Sequence, residues 1–580
     1  MNIHDYFPYS TPRSHQIQAV TDIYDAIENG FKYIILDAPT GAGKSAIART
    51  FTDYYATEYG KDSFILTNTI MLQNQYFKDC ADNIFDVNYQ VGKGRSNFNC
   101  MADSDYKHSN GINKEVNNCS NGYCVVKKNY KCKFNDICPY LSAKKAALSS
   151  DVALLNYDVK IVDNLYTTKL NYNPRYFSVC DEAHNIDNRV LNHVSLDLNG
   201  NTLHRELDFV FLEEYWTYTF AHEWYDILEH LIKLYDMGCA DINAQIERLK
   251  FKTMGKLTNK KKKEFDEQIL HLQKQAHHFE NRMKKITETL KLIRENPDDW
   301  VVSRNKEKNI ISFKPLFVHN YTHDYLFNSS KLHLFMSGSF GDIDTFISEL
   351  NIPEDECKHI FCPSDFNFKK RNPIFNCNVA NLCAEDISRN LGKCVRVMKK
   401  IFRKHSHDKG LIHCTSKETA LDILNRFKGT RYFDRMISYG VLFNTTNRCV
   451  DYSYKDDSFM FKNAEEALFH FKKSEKPLIC VSYSMEEGVD LKDDDCRFQV
   501  IVKVPYPNVG DERISRRLNI DFGWYNNETM KTFIQMLGRG MRSRDDYCSN
   551  YVLDDRFTNF YQYTKRFPKY LKGSIRNRGI

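Results

Sequence analysis

The sequence predicts an α/β protein built on two doubly wound parallel sheets, the first interrupted by a cysteine-bearing insert and by an all-helical insert. Short apolar runs alternate with helix-compatible stretches from about residue 10 to 95, and the pattern resumes at Asp151-Val152-Ala153-Leu154-Leu155-Asn156-Tyr157. Residues 200–295 are rich in Leu, Glu, Lys and His, contain no Pro and keep a helical period. Further on, Gly410-Leu411-Ile412-His413-Cys414, Pro477-Leu478-Ile479-Cys480-Val481 and Gln499-Val500-Ile501-Val502-Lys503-Val504 read as buried strands of a second sheet.

At 580 residues the chain has room for several domains, each with its own core. A formal charge of +6 permits a polyanionic partner without requiring one. No apolar run approaches the roughly 20 residues of a membrane span, and Met1-Asn2-Ile3-His4-Asp5-Tyr6 lacks the charged and apolar regions of a signal peptide. The expectation is a soluble, intracellular protein without membrane contact, cytoplasmic in a bacterial or phage-infected cell and nuclear in a eukaryotic one.

The first strand, Tyr33-Ile34-Ile35-Leu36, leads into Ala38-Pro39-Thr40-Gly41-Ala42-Gly43-Lys44-Ser45 and then a helix. Strand, glycine-rich loop and helix N-terminus form a phosphate cradle: backbone N–H groups close around the phosphates, Lys44 brings positive charge and the Ser45 hydroxyl ligates Mg²⁺. Ala38 stands where the pattern's first Gly would be.

A second apolar run, Tyr176-Phe177-Ser178-Val179-Cys180, ends in Asp181-Glu182-Ala183-His184. A carboxylate at a strand end, Asp181, suits Mg²⁺ held through water, and its neighbour Glu182 suits the orientation and deprotonation of an attacking water. Paired with the Lys44 loop, this predicts nucleoside triphosphate hydrolysis. Near the end of the chain, Gln535, Arg539 and Arg542 share one face if the segment is helical, and two guanidinium groups there suit the charge on a transferring phosphoryl group.

Five of the 18 cysteines, Cys100, Cys119, Cys124, Cys132 and Cys138, fall in one short segment. In an intracellular protein such clustering indicates a metal rather than disulfides, and the irregular spacing leaves zinc and an iron–sulfur cluster both open. Gly255 and the run Lys260-Lys261-Lys262-Lys263 are expected in a helix–helix connection, with the lysines on a solvated face.

Taken in order, these motifs resemble those of superfamily 2 DNA helicases of the XPD/DinG type over nearly the whole chain. Arg13 and Gln16 are similar to the family's nucleotide-contacting start, and Thr67-Asn68-Thr69 with Leu72, Gln73 and Gln75 to its first DNA-contact motif. The stretch from Lys93 to Cys100 resembles the entry to an iron–sulfur domain and Cys138-Pro139-Tyr140 its exit, so the resemblance implies a [4Fe-4S] cluster on four of the five cysteines. Phe335-Met336-Ser337-Gly338-Ser339 resembles the motif that couples hydrolysis to strand movement; Thr415 and Ser416 resemble a backbone-contact motif, and Glu487-Gly488-Val489-Asp490-Leu491 a nucleotide-contacting one.

The resemblance implies two RecA-like motor domains. The first comprises 1–94, 146–195 and 326–365, interrupted by an iron–sulfur domain at 95–145 and an all-helical arch at 196–325; the second comprises 366–580. It further implies an ATP- and Mg²⁺-dependent monomer that moves 5′ to 3′ on single-stranded DNA and unwinds forked duplexes. The alternative is a DNA-stimulated ATPase that remodels protein–DNA or RNA-containing complexes without processive unwinding.

Overall fold

The computed structural model describes all residues except 1, 40, 83, 105–116, 128–129, 168–169, 254–257, 364–365, 384, 440–459, 462, 484–490, 542–544, 565–566 and 578–580. In chain order, β1 (Tyr33–Asp37), β2 (Ser63–Thr67), β3 (Tyr89–Val91), β4 (Val152–Asn156) and β5 (Arg175–Asp181) precede β6 (Leu196–Asn199), β7 (Trp300–Asn305) and β8 (Ile310–Pro315). Then come β9 (Ser330–Ser337) and β10 (Cys357–Phe361). The first large sheet runs β10-β1-β9-β5-β2-β4-β3 with parallel pairings.

Alternate residues of these strands serve opposite faces, as the two-residue repeat of a strand requires. Ile34, Leu36, Ile65, Leu154, Val179 and Met336 pack on the side of the helices Ser14–Glu28 and Lys44–Tyr59. Ile35, Leu66, Leu155, Cys180 and Phe335 face the other way. That second core continues through Trp224, Leu228, Tyr235, Phe279 and Leu290 into the helices Tyr225–Thr253 and Asn259–Glu295, so the helical insert is rooted in the core of the sheet.

The insert is not all helical. At its base β6, β8 and β7 form a three-stranded antiparallel sheet. In β8 buried residues alternate with half-buried ones, but strands of four to six residues beside helices of 29 and 37 residues leave too short a two-residue repeat to separate from the helical period. Lys260 to Lys263 open the second long helix, whose N-cap Thr258 accepts from Lys261 N, instead of lying in the connection; Gly255 lies outside the described residues.

The second large sheet contains β11 (Ile374–Ala380), β12 (Gly410–His413), β13 (Met436–Tyr439), β14 (Met460–Phe461), β15 (Ile479–Ser482), β16 (Phe498–Ile501), β17 (Ser549–Asp554) and β18 (Ile575–Arg576). Its order is β14-β13-β15-β12-β16-β17-β11-β18, again with parallel pairings. The runs read as strands near residues 410, 477 and 499 are β12, β15 and β16. Among the described residues no helix is long and apolar enough to cross a membrane.

Candidate active site

β1, β9 and β5 are neighbours, with Asp37 level with Ser337 and Asp181 level with Met336, so their C-terminal ends deliver three motifs to one place. In the loop after β1, Gly41 and Gly43 have φ of +84° and +87°, a conformation that side chains resist. A Cβ on Gly43 would stand 2.0 Å from Nε2 of Gln16. Arg13 Nη1 donates to Gly41 O at 2.9 Å, and Gln16 Nε2 donates to Ala42 O at 3.1 Å while its Oε1 accepts from Arg13 N at 2.9 Å. Arg13 and Gln16 therefore brace the loop from behind. Ala38 is fully buried, has no positive φ and donates its N–H to Ser337 O at 2.9 Å, so nothing at that position calls for glycine. Lys44 Nζ donates to Ala38 O at 3.4 Å, folding the ammonium group over the loop. Pro39 is buried at the loop's start, and Thr40 lies outside the described residues.

Asp181 is 3% exposed. Its Oδ2 accepts from Tyr76 OH and its Oδ1 from Glu182 N, both at 2.9 Å, and its carbonyl accepts from Tyr157 OH at 2.8 Å. Burial pushes its carboxyl up to about 6; the Glu182 charge adds to the rise, and Lys44 and the Tyr76 bond oppose it. Glu182 follows at φ +50°, which turns its side chain out of the strand line into a more open position. Neither tyrosine is legible as a site residue in sequence: Tyr76, in the helix Ile70–Asp79, and Tyr157 both look like core aromatics, and both are buried.

His184 is the hub between the two large domains. Its Nδ1 donates to Ser337 Oγ at 2.7 Å, lies 3.2 Å from Ser339 Oγ and 3.4 Å from Glu182 Oε2, while its Nε2 accepts from the Gln535 carboxamide. Gln535 sits in the last turn of the helix Phe522–Leu537. That helix stops at Gly538, so Arg539 lies in the turn beyond it and the single helical face expected for Gln535, Arg539 and Arg542 does not form. Gly538 and Gly540 flank Arg539, and the cost of glycine in a helix explains the stop. Gln535 and Arg539 nevertheless line the same cleft of about 1110 Å³ as Arg13, Gln16, Gly41, Gly43, Lys44, Ser45, Asp181 and Glu182. Arg542, Gly488 and Asp490 lie outside the described residues.

The expected DNA-contact residues divide. Thr69 and Gln75 line the cleft. Thr67 and Gln73 are fully buried: the Thr67 hydroxyl donates to Thr69 O at 3.1 Å, and Gln73 Nε2 donates to Gly92 O and Leu154 O at 2.8 and 2.7 Å. Both face inward and brace the strand ends, which corrects their reading as direct contacts. Ser416 caps the helix Lys417–Phe427 by accepting from Thr419 N at 3.2 Å, and Thr415 precedes it in the bend after β12.

Three of the five clustered cysteines, Cys100, Cys119 and Cys132, share one small nucleus, while Cys124 is exposed and Cys138 half-buried. Cys100 and Cys119 are buried with Tyr123, and Phe98, Tyr130, Cys132, Phe134, Tyr140 and Leu270 pack around them. Burial pushes the Cys119 thiol up to about 12, and the sulfurs of Cys138, Cys100 and Cys124 raise it further. Burial also raises Cys124, with Cys100 and Cys132 adding to the rise and Arg95 opposing it. Among the described residues no three such groups already converge on metal-binding geometry. The donor set nonetheless fits a soft, thiolate-bound group: the raised thiols of Cys119 and Cys124, close to other sulfurs, ionise more readily beside a cation.

Two family models match the chain, a type III restriction enzyme res-subunit model over residues 9–202 and a helicase C-terminal domain model over residues 402–574. A probable ATP-dependent helicase of Methanocaldococcus jannaschii is 21% identical, the match covering 98% of this chain and 95% of that protein. A shorter match reaches the ATP-dependent DNA helicase CHL1 of Saccharomyces cerevisiae, 29% identical over 17% of this chain and 13% of that protein. An XPD helicase structure superposes with a TM-score of 0.60 at 16% identity, covering 99% of this chain and all of that one. The S. tokodaii Xpd4 structure gives 0.54 at 14% identity, covering 98% of this chain and all of that one. Fold, cleft and family matches define the class as ATP-dependent helicases with two motor domains. Within that class its fold is that of the XPD helicase structures.

Proposed function

We propose that this protein hydrolyses ATP to move 5′ to 3′ along single-stranded DNA and to separate the strands of a forked duplex. The observation that carries the reading is the meeting of Lys44, Asp181 and Glu182 from the first sheet with Gln535 and Arg539 from the second in one cleft. In this reading the loop amides and Lys44 take the phosphates, and Ser45 with Asp181 would hold Mg²⁺. Glu182 accepts the proton of the attacking water, and Arg539, with Arg542, offsets charge on the transferring phosphoryl group. Both domains contribute to the cleft, so ATP binding favours its closure and hydrolysis relaxes it. Thr69, Thr415 and Ser416 contact the DNA backbone without reading sequence. The description of CHL1 as a DNA helicase supports DNA as the track.

In the same reading residues 95–145 form the cluster domain, 196–325 the arch, and the remainder the two motors. Four of Cys100, Cys119, Cys124, Cys132 and Cys138 would hold a [4Fe-4S] cluster, which when bound stiffens the 95–145 lobe as a wedge. The protein acts as a monomer. The test is anaerobic purification with iron and sulfide assays, then strand displacement on forks with a 5′ or a 3′ single-stranded tail, with Lys44→Ala as control. About four irons per chain and ATP-dependent displacement from the 5′ tail alone support the proposal. DNA-stimulated hydrolysis without displacement on either fork replaces it with a remodelling ATPase.

A further inference from the structure

We propose that Asn527 is a positioning residue for ATP hydrolysis, acting through the Gly341-Asp342 turn on the segment that follows Ser337 and Ser339, and hence through His184. The inference rests on the reading of the cleft as an ATPase site and goes beyond it to a residue outside every motif.

The helix Ile343–Leu350 begins after three linking residues, Phe340 to Asp342, that follow the Ser337-Gly338-Ser339 segment, and the second motor domain holds it at both ends. At its start, Asp342 N donates to Asn527 Oδ1 at 2.6 Å, while the Asp342 carboxylate caps the helix by accepting from Asp344 N at 3.3 Å. Gly341, next to it, has φ +74°, and a Cβ there would stand 2.0 Å from Asn527 Oδ1. The turn is shaped around that amide, and Asn527 is 4% exposed. At the other end, Glu349 accepts from Arg517 Nη1 at 3.0 Å and Nη2 at 2.5 Å. Arg517 is 1% exposed, with its guanidinium 4.6 Å from the centre of the Phe317 ring and 4.2 Å from that of Trp524.

On the helix Phe522–Leu537, Asn527, Lys531 and Gln535 follow at i, i+4 and i+8, which puts them on one stripe about 12 Å long. Lys531 Nζ lies 3.7 Å from Asp187, three residues past His184. The contacts close a ring. Gln535 holds Nε2 of His184; Ser337 and Ser339 lie against Nδ1; and Asn527, two turns back on Gln535's own helix, holds Asp342, three residues past Ser339 on the segment that leaves those serines. One rigid helix thereby sets His184 from both sides, and His184 lies beside Glu182.

The test compares Asn527→Ala and Asn527→Asp with the wild-type full chain. The readouts are kcat and KM for ATP with and without a single-stranded oligonucleotide, and hydrogen exchange over residues 340–346. Asn527→Ala is expected to expose the Asp342 amide to exchange and to lower kcat at least fivefold with KM within twofold. Asn527→Asp keeps an acceptor oxygen and is expected to restore both. Protection lost with kcat unchanged makes the contact structural only and overturns the proposal, as does a kcat loss that the aspartate fails to restore. If wild type hydrolyses ATP but opens neither fork, the helicase reading fails, while the kcat ratios still decide the role of Asn527.

Discussion

Gln535 and His184, 351 residues apart in sequence, meet through the Gln535 carboxamide and the His184 Nε2. This contact joins the second motor domain to the acidic motif of the first. Gln535→Ala removes it while leaving a half-buried, cavity-tolerant position. We predict that kcat for ATP falls about 10- to 100-fold, as for other losses of positioning, while the thermal midpoint is nearly unchanged. Steady-state hydrolysis and a thermal melt on the same preparation check this.

Glu182 occupies a left-handed backbone position that presents its carboxylate beside the cleft. Glu182→Gln keeps the shape and removes the proton acceptor. Hydrolysis is expected to fall about 10²- to 10⁴-fold with ATP binding retained, which equilibrium binding of a labelled nucleotide measures directly.

Gly43 has φ +87° and Gln16 Nε2 fills the space a side chain would need. Gly43→Ala combines roughly 1–2 kcal/mol of backbone strain with displacement of the Gln16 brace. We expect a lower melting temperature and loss of the stabilisation that added ATP gives wild type. Melts with and without ATP read both effects.

His413, at the end of β12, is fully buried and its Nε2 donates to Gln499 Oε1 at 2.8 Å. Burial lowers its pKa from 6.5 to about 4. The unfolded chain therefore takes up a proton below 6.5 that the folded chain refuses until about 4, so stability falls as pH drops through that window, by about 3 kcal/mol for this one group. His333 on β9 carries a shift in the same direction from the same cause. Urea melts between pH 7 and 4.5 are expected to show the loss, and His413→Gln to reduce its slope.

Much of this fold is visible before any coordinates. The strands with apolar runs, such as β5 and β12, announce themselves because a strand covered on both faces is mostly apolar along its length. The phosphate loop and Asp181-Glu182 are equally legible, since their chemistry demands particular residues at fixed spacing. What escapes is long-range. The β6–β8 pairing joins Asn199 to Ile310 and Leu196 to Phe313, segments far apart in sequence, and no local period records such a pairing. Tyr76, Tyr157 and Asn527 carry no signature, because a helix that buries a tyrosine or an asparagine reads the same whether or not a catalytic group stands opposite. Thr67 and Gln73 fail in the reverse sense: they match a contact motif but are spent on internal bonds.

The measurement that bears most directly on the central claim is ATP-dependent strand displacement by the wild-type chain on forks with a 5′ or a 3′ tail, run beside Lys44→Ala. Displacement from the 5′-tailed fork alone, abolished by Lys44→Ala, is the result predicted. Displacement that survives Lys44→Ala, or ATP hydrolysis with both forks left intact, would contradict it.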